Sequence, residues 1–157
     1  MSSGSGFGPP AFDASFFARA GGRLGGERAS YERYHQSKLA NLLFTAALHD
    51  RLAARGSSVK ALACTPGVCA TDMFARVASR SGRQADMSSV PSVEDGVLAQ
   101  LKCACEPNVR SGQLFGPPGL GGLPVEVAIA PPTVLVDDPT KEELWVACER
   151  AVGAFVL

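Results

Sequence analysis

The sequence predicts an α/β fold, and three observations carry that expectation. A long stretch has helical periodicity, with Leu39, Leu42, Leu43, Ala46, Ala47 and Leu52 recurring at three- and four-residue spacings. Gly56 then supplies a stop, and the apolar run Val59-Lys60-Ala61-Leu62-Ala63-Cys64 follows between Ser58 and Pro66. Helix followed by a buried strand is half of a β-α-β unit.

The 157 residues are 46% hydrophobic and 19% charged, a globular composition long enough for one core. Formal net charge is zero and no lysine/arginine run forms a basic patch, so nucleic acid is not an expected partner. No apolar stretch is long enough for a membrane span, and the start, Met1-Ser2-Ser3-Gly4-Ser5-Gly6, lacks a secretory pattern. The five cysteines, Cys64, Cys69, Cys103, Cys105 and Cys148, form no C-x-x-C pair and lie far from most histidine, so no zinc site is expected. An odd cysteine count suits a reducing compartment, and a cytoplasmic location is expected.

Residues 1–30 read as a Gly/Ser/Pro-punctuated loop with a short helical turn around residues 12–20. The main helix is expected from about Tyr31 to Arg55. Residues 75–92 read as polar and irregular. A second helix should start at Ser92, with Glu94 and Asp95 in its first turn, and end before Pro107. Residues 113–116 suit a brief strand and residues 117–132 an extended loop. Thr140-Lys141-Glu142-Glu143 reads as a capping box opening a last helix, in which Trp145 is a packing residue. With so few strands in view, the strand at 59–64 is expected to lie open along an edge.

The chemistry lies in Tyr34-His35-Gln36-Ser37-Lys38. Residues four apart on a helix share a face, so a phenol and an ammonium can meet there. A free phenol loses its proton near pH 10, and an adjacent ammonium favours the phenolate. That pairing makes a tyrosine usable as a general acid/base. Alone, Y-x-x-x-K occurs by chance in many helices.

The longer run Tyr34–Phe44, YHQSKLANLLF, resembles the active-site helix of the short-chain dehydrogenase/reductase family. The likeness is to its retinol-dehydrogenase-like branch, which includes WW-domain-containing oxidoreductases. Pro66-Gly67-Val68-Cys69-Ala70-Thr71 resembles that family's P-G-x-x-x-T turn, and Ser2-Ser3-Gly4-Ser5-Gly6 its S-S-x-x-G segment. Glu94-Asp95-Gly96 and Ser111–Pro117 are similar to later elements of the branch.

The resemblance implies an NAD(P)-dependent oxidoreductase acting on a lipophilic carbonyl or alcohol. It implies Tyr34 as proton donor or acceptor, Lys38 as its partner and ribose ligand, and Ser3 as the hydroxyl that steers the substrate. Thr71 would bind the nicotinamide carboxamide, with Pro66, Gly67 and Val68 walling its pocket. Residues 75–92 would form the substrate loop. His35 adjoins Tyr34 and is expected to point off the Tyr/Lys face.

No G-x-x-x-G-x-G follows a strand, and the glycines at 21–26 follow none either. The resemblance therefore implies a single partial domain over residues 1–157. This would be the C-terminal part of a Rossmann-like doubly wound parallel sheet, lacking the N-terminal dinucleotide-binding half. Such a chain is expected to be a fragment, inactive alone because it binds little or no NAD or NADP. The alternative is a non-catalytic interaction or dimerisation module, with a homodimer through the active-site helix using Leu43, Ala47 and Leu52.

Overall fold

The computed structural model describes residues 1–7, 11–17, 26–80, 82, 86–129, 138–155 and 157. Its helices are α1 (Gly26–Ala54), α2 (Asp72–Arg80), α3 (Val93–Cys105) and α4 (Asp138–Val152). Its strands are β1 (Ala63–Cys64), β2 (Leu114–Gly116) and β3 (Val125–Glu126), in the order β1-β2-β3. The β1–β2 pair is parallel, with Ala63 opposite Leu114 and Cys64 opposite Phe115. The β2–β3 pair is antiparallel. The molecule is thus mixed α/β around a small mixed sheet.

The sheet is thin because its ladder is interrupted. Gly112 N–H donates to Ala61 O (2.7 Å), Ala63 N–H to Gln113 O (3.0 Å) and Thr65 N–H to Phe115 O (2.8 Å). The Ala61 N–H turns instead to the Ser111 side chain (3.0 Å), and Val59 beyond it is exposed. Ser111 Oγ also meets His49 Nδ1 at 2.8 Å, which ties this strand entrance to α1. The strand expected over 59–64 therefore pairs regularly only at its C-terminal end.

That strand stands at one end of the sheet, as expected, with β2 as its strand partner among the described residues, while its Ala61, Ala63 and Cys64 side chains are buried. Side chains alternate across a strand. Ala63 and Leu114 join Leu39, Leu42 and Leu43 of α1 and Leu144 of α4 in the core. The neighbouring residues face α3, where Lys102 Nζ lies over the Phe115 ring and Cys103 Sγ meets Ala63 O at 3.6 Å. Each fully buried leucine contributes roughly 1.5–3 kcal/mol relative to exposure. Burial, then the neighbouring Cys64, push the Cys103 thiol up to about 11.

Helix α1 begins five residues before the expected start. Its first turns lie in solvent and carry no apolar stripe, so periodicity does not reveal them. The Arg28–Glu32 pair at i, i+4 runs along this exposed surface. Helix α3 begins as expected, with a full capping box between Ser92 and Asp95.

Helix α4 starts two residues before Thr140, so the expected capping box is not its opening. Lys141 is buried there, and its Nζ lies 2.5 Å from Asp50 and 2.7 Å from Asp138. Trp145 is buried as expected. It stacks on Phe44 at 5.5 Å, with Arg51 4.0 Å above its ring.

Residues 75–92 are not simply irregular. They contain most of α2 and a 3-10 turn at Met87–Ser89. The loop expected over 117–132 carries β3, and residues 130–132 lie outside the described residues. The helical turn expected around 12–20 is a 3-10 turn at Ala14–Phe17, and residues 18–20 lie outside the described ones. Among the described residues no helix is long and apolar enough to cross a membrane.

Candidate active site

Three separate segments converge on one cavity of about 530 Å³. Segment 1–5 contributes Ser3, α1 contributes Tyr34, and the turn after β1 contributes Pro66, Gly67, Val68 and Thr71. Six of the seven residues singled out in the sequence therefore line a common space. The seventh, Lys38, stands behind Tyr34, with its Nζ 5.4 Å from the phenol ring centroid. Phenol and ammonium share one face of α1, as the four-residue spacing requires.

Segment 1–5 is held by contacts that the sequence does not announce. Ser2 N–H donates to Cys64 O at 2.7 Å, laying the segment beside the end of β1. Its side chain is buried and donates to Lys38 O at 2.9 Å. Asn41 Nδ2 donates to Met1 O at 2.8 Å. Gly6 rests so closely on α1 that a Cβ would come within 2.9 Å of the Lys38 carbonyl carbon. The serine pair thus divides its tasks. Ser2 anchors the segment to helix and strand, while Ser3 faces the cavity and accepts from Ser5 N–H at 3.3 Å.

The turn after β1 depends on two tight features. Gly67 has φ +71°, and a Cβ there would lie 2.6 Å from Pro117 Cγ. Thr71 Oγ1 accepts from Phe74 N–H at 3.3 Å, the position of an N-cap for α2. That bond gives Thr71 a structural task and leaves its hydroxyl proton available. Cys69 also lines the cavity, and burial followed by the Asp95 charge raises its thiol pKa.

The remaining walls are apolar. Met73, Phe74 and Val77 of α2 and Val93 and Val97 of α3 face the same space. Sequence reading missed α2, yet its signal was present. Met73, Phe74 and Val77 stand at i, i+1 and i+4, one stripe of a short helix. Among the described residues, none that lines the cavity carries a charged side chain.

His35 lies off the cavity, as its position beside Tyr34 implies. Its ring packs 4.7 Å from Tyr31, and its buried Nε2 has no hydrogen-bond partner among the described residues. Leu43, Ala47 and Leu52 are buried within the chain, so they do not present the dimer surface expected of them.

Thr71 and the glycine turn stand together on the cavity wall, with Lys38 behind Tyr34. Among the described residues no glycine-rich strand-to-helix turn stands ready for a pyrophosphate.

No family model and no curated protein matches the chain. A similar solved structure is that of an uncharacterized protein from Mycobacterium paratuberculosis. It matches with a TM-score of 0.59 and 24% identity, over 95% of this chain and 47% of that one. The chain thus spans about half the length of that structure. At this identity the likeness concerns the fold alone.

Proposed function

We propose that the chain carries the proton-transfer site of an NAD(P)-dependent oxidoreductase of the short-chain dehydrogenase/reductase type. On this reading its α/β architecture is the C-terminal part of a Rossmann-like doubly wound sheet. The parallel β1–β2 pair, with helices on both faces, supports that assignment. So does a fold match that takes in half of a longer chain. The observation that carries the reading is the convergence of Ser3, Tyr34 and the 66–71 turn on one cavity, with Lys38 against the phenol.

The substrate is a carbonyl compound or alcohol. The uncharged, largely apolar walls favour a neutral lipophilic one. A nicotinamide, when bound by Lys38, Thr71 and the 66–68 turn, supplies or takes the hydride. In the reducing direction Tyr34 gives its phenolic proton to the substrate oxygen. The Lys38 ammonium stabilises the phenolate left behind. The Ser3 hydroxyl donates to the same oxygen and orients it toward Tyr34. Oxidation of an alcohol runs these steps in reverse.

Reduction of a neutral aldehyde by a full-length protein that carries this segment tests the assignment. Tyr34→Phe should lower turnover by about 10²-fold or more, the usual weight of a general acid, while leaving donor affinity unchanged. Lys38→Ala should damage both. Near-normal turnover in Tyr34→Phe would show that the proton comes from elsewhere.

A further inference from the structure

The cavity contains a second phenol that the proton-transfer chemistry does not use. Tyr31 lies one helical turn before Tyr34 and lines the same space. It is more than half exposed, 54%, so it stands at the mouth rather than in the depth. Its ring is nevertheless supported. The His35 ring lies 4.7 Å behind it at 48°, and the Tyr34 ring lies 6.4 Å away at 45°. Both separations fall in the range of favourable aromatic pairs. An exposed tyrosine on an otherwise solvated helix turn has no such need of support. Here the Tyr31 and Tyr34 rings both line the cavity, and His35 packs against Tyr31 from outside it.

We propose that Tyr31 is a specificity-determining residue that selects neutral, ring-bearing ligands over open-chain ones of equal size. The claim rests on the reading of the cavity as a substrate site and names the class of substrate it favours. The physical basis is the difference between walls. The α2 and α3 walls present mainly Met73, Val77, Val93 and Val97, flexible or branched aliphatic groups that accept any apolar shape, with Phe74 as their one ring. The α1 side offers two neighbouring rings, Tyr31 and Tyr34. A ring laid against Tyr31 gains stacking beyond its area, while an aliphatic chain there gains area alone. His35 fixes the platform from behind, which reduces the ordering cost when the ligand arrives. Among the described lining residues no side chain is charged, so the walls offer little to repay desolvation of a carboxylate or phosphate on the ligand.

Binding of a dimethylamino-naphthyl ketone tests this without a dinucleotide. The probe is neutral, flat and brighter in apolar surroundings. A linear methyl ketone of equal carbon count serves as competitor. Tyr31→Ala should weaken the naphthyl ketone about three- to tenfold, the weight of an aromatic pair. It should shift the linear ketone by less than about twofold. Tyr31→Phe should restore the naphthyl affinity, because the ring and not the hydroxyl makes the contact. A thermal melt of each variant should match that of the parent. Equal losses for both ketones, failure of Tyr31→Phe to rescue, or no binding of the probe by the parent would each overturn the proposal. Tyr34→Phe separates the two claims: loss of turnover with probe binding retained supports both. Ring selection by Tyr31 in a protein without Tyr34-dependent turnover would leave the selectivity standing and remove the oxidoreductase reading.

Discussion

The cavity has two kinds of wall, and they are built differently. The reactive side rests on α1 and β1, whose Leu39, Leu42, Leu43 and Ala63 are in the core. The opposite side rests on α2, none of whose residues is buried, and on the outer stripe of α3. Val93, Val97 and Leu101 recur every four residues along that stripe, all exposed. The contrast separates two demands. Proton transfer needs groups held to within a fraction of an ångström, so they stand on packed elements. Ligand accommodation needs adaptable apolar surface, which a lightly anchored helix supplies.

The largest expected break in that comparison comes from the core. Leu42→Ala, at a site with no exposure, should cost about 2–5 kcal/mol of stability. Met73→Ala on α2 should stay within about 0.5 kcal/mol, as surface changes usually do. Denaturant melts of the two variants check this. Comparable losses would mean that both walls are equally consolidated.

Gly6→Ala probes the clamp between segment 1–5 and α1. The added methyl would meet the Lys38 and Leu39 backbone at 2.9–3.1 Å, so the segment must shift and carry Ser3 with it. Turnover should fall severalfold more than stability alone explains, since misplacing an orienting group by about 1 Å can cost 10²-fold. Paired kinetics and melts separate the two effects. Ser2→Ala removes the bond to Lys38 O and should act in the same direction, more mildly.

Lys141 offers a pH test of the packed side. Burial works to lower its pKa, but hydrogen bonds and charge from Asp138 and Asp50 outweigh that and raise it above the ordinary lysine value. Protonated Lys141 therefore favours the folded state. Its contribution is fully present below the unfolded lysine value, near pH 10.4, and is lost as pH rises through the folded value. Melting temperature should drop at strongly alkaline pH more for the parent than for Lys141→Met. Identical alkaline profiles would show that the Asp50–Lys141–Asp138 group does not link folding to pH.

The smallest effect concerns the thiols. Cys105 is exposed, whereas Cys103, pushed up to about 11, faces β1. Since the thiolate is the reactive form, alkylation near pH 8 should mark Cys105 well before Cys103. Peptide mapping would read the order directly.

Much of the packed side was legible in the sequence. The Leu39–Leu52 periodicity, the Gly56 stop and the Ser92 N-cap each encode structure within a few residues, and each appears where expected. The Tyr34–Lys38 spacing likewise fixes a shared face. Other features depend on partners distant in the chain. Ser2 is an anchor only because Lys38 and Cys64 lie beside it, and Lys141 is buried only because Asp50 and Asp138 meet it. The short helix α2 was obscured by its polar residues, although Met73, Phe74 and Val77 carry its stripe.

The most direct test of the account uses the half of the cofactor that the proposed site would hold. Reduced nicotinamide mononucleotide carries the nicotinamide–ribose end without the remainder of the dinucleotide. Supplied at millimolar concentration with a neutral aromatic aldehyde, it should support slow turnover by this chain. Tyr34→Phe should reduce that rate about 10²-fold or more. NADH and NADPH should do no better than the mononucleotide, and calorimetry should find both bound weakly or not at all, since no pyrophosphate cradle is present among the described residues. A rate that is absent in the parent or unchanged in Tyr34→Phe, or a micromolar dissociation constant for either dinucleotide, would contradict the account.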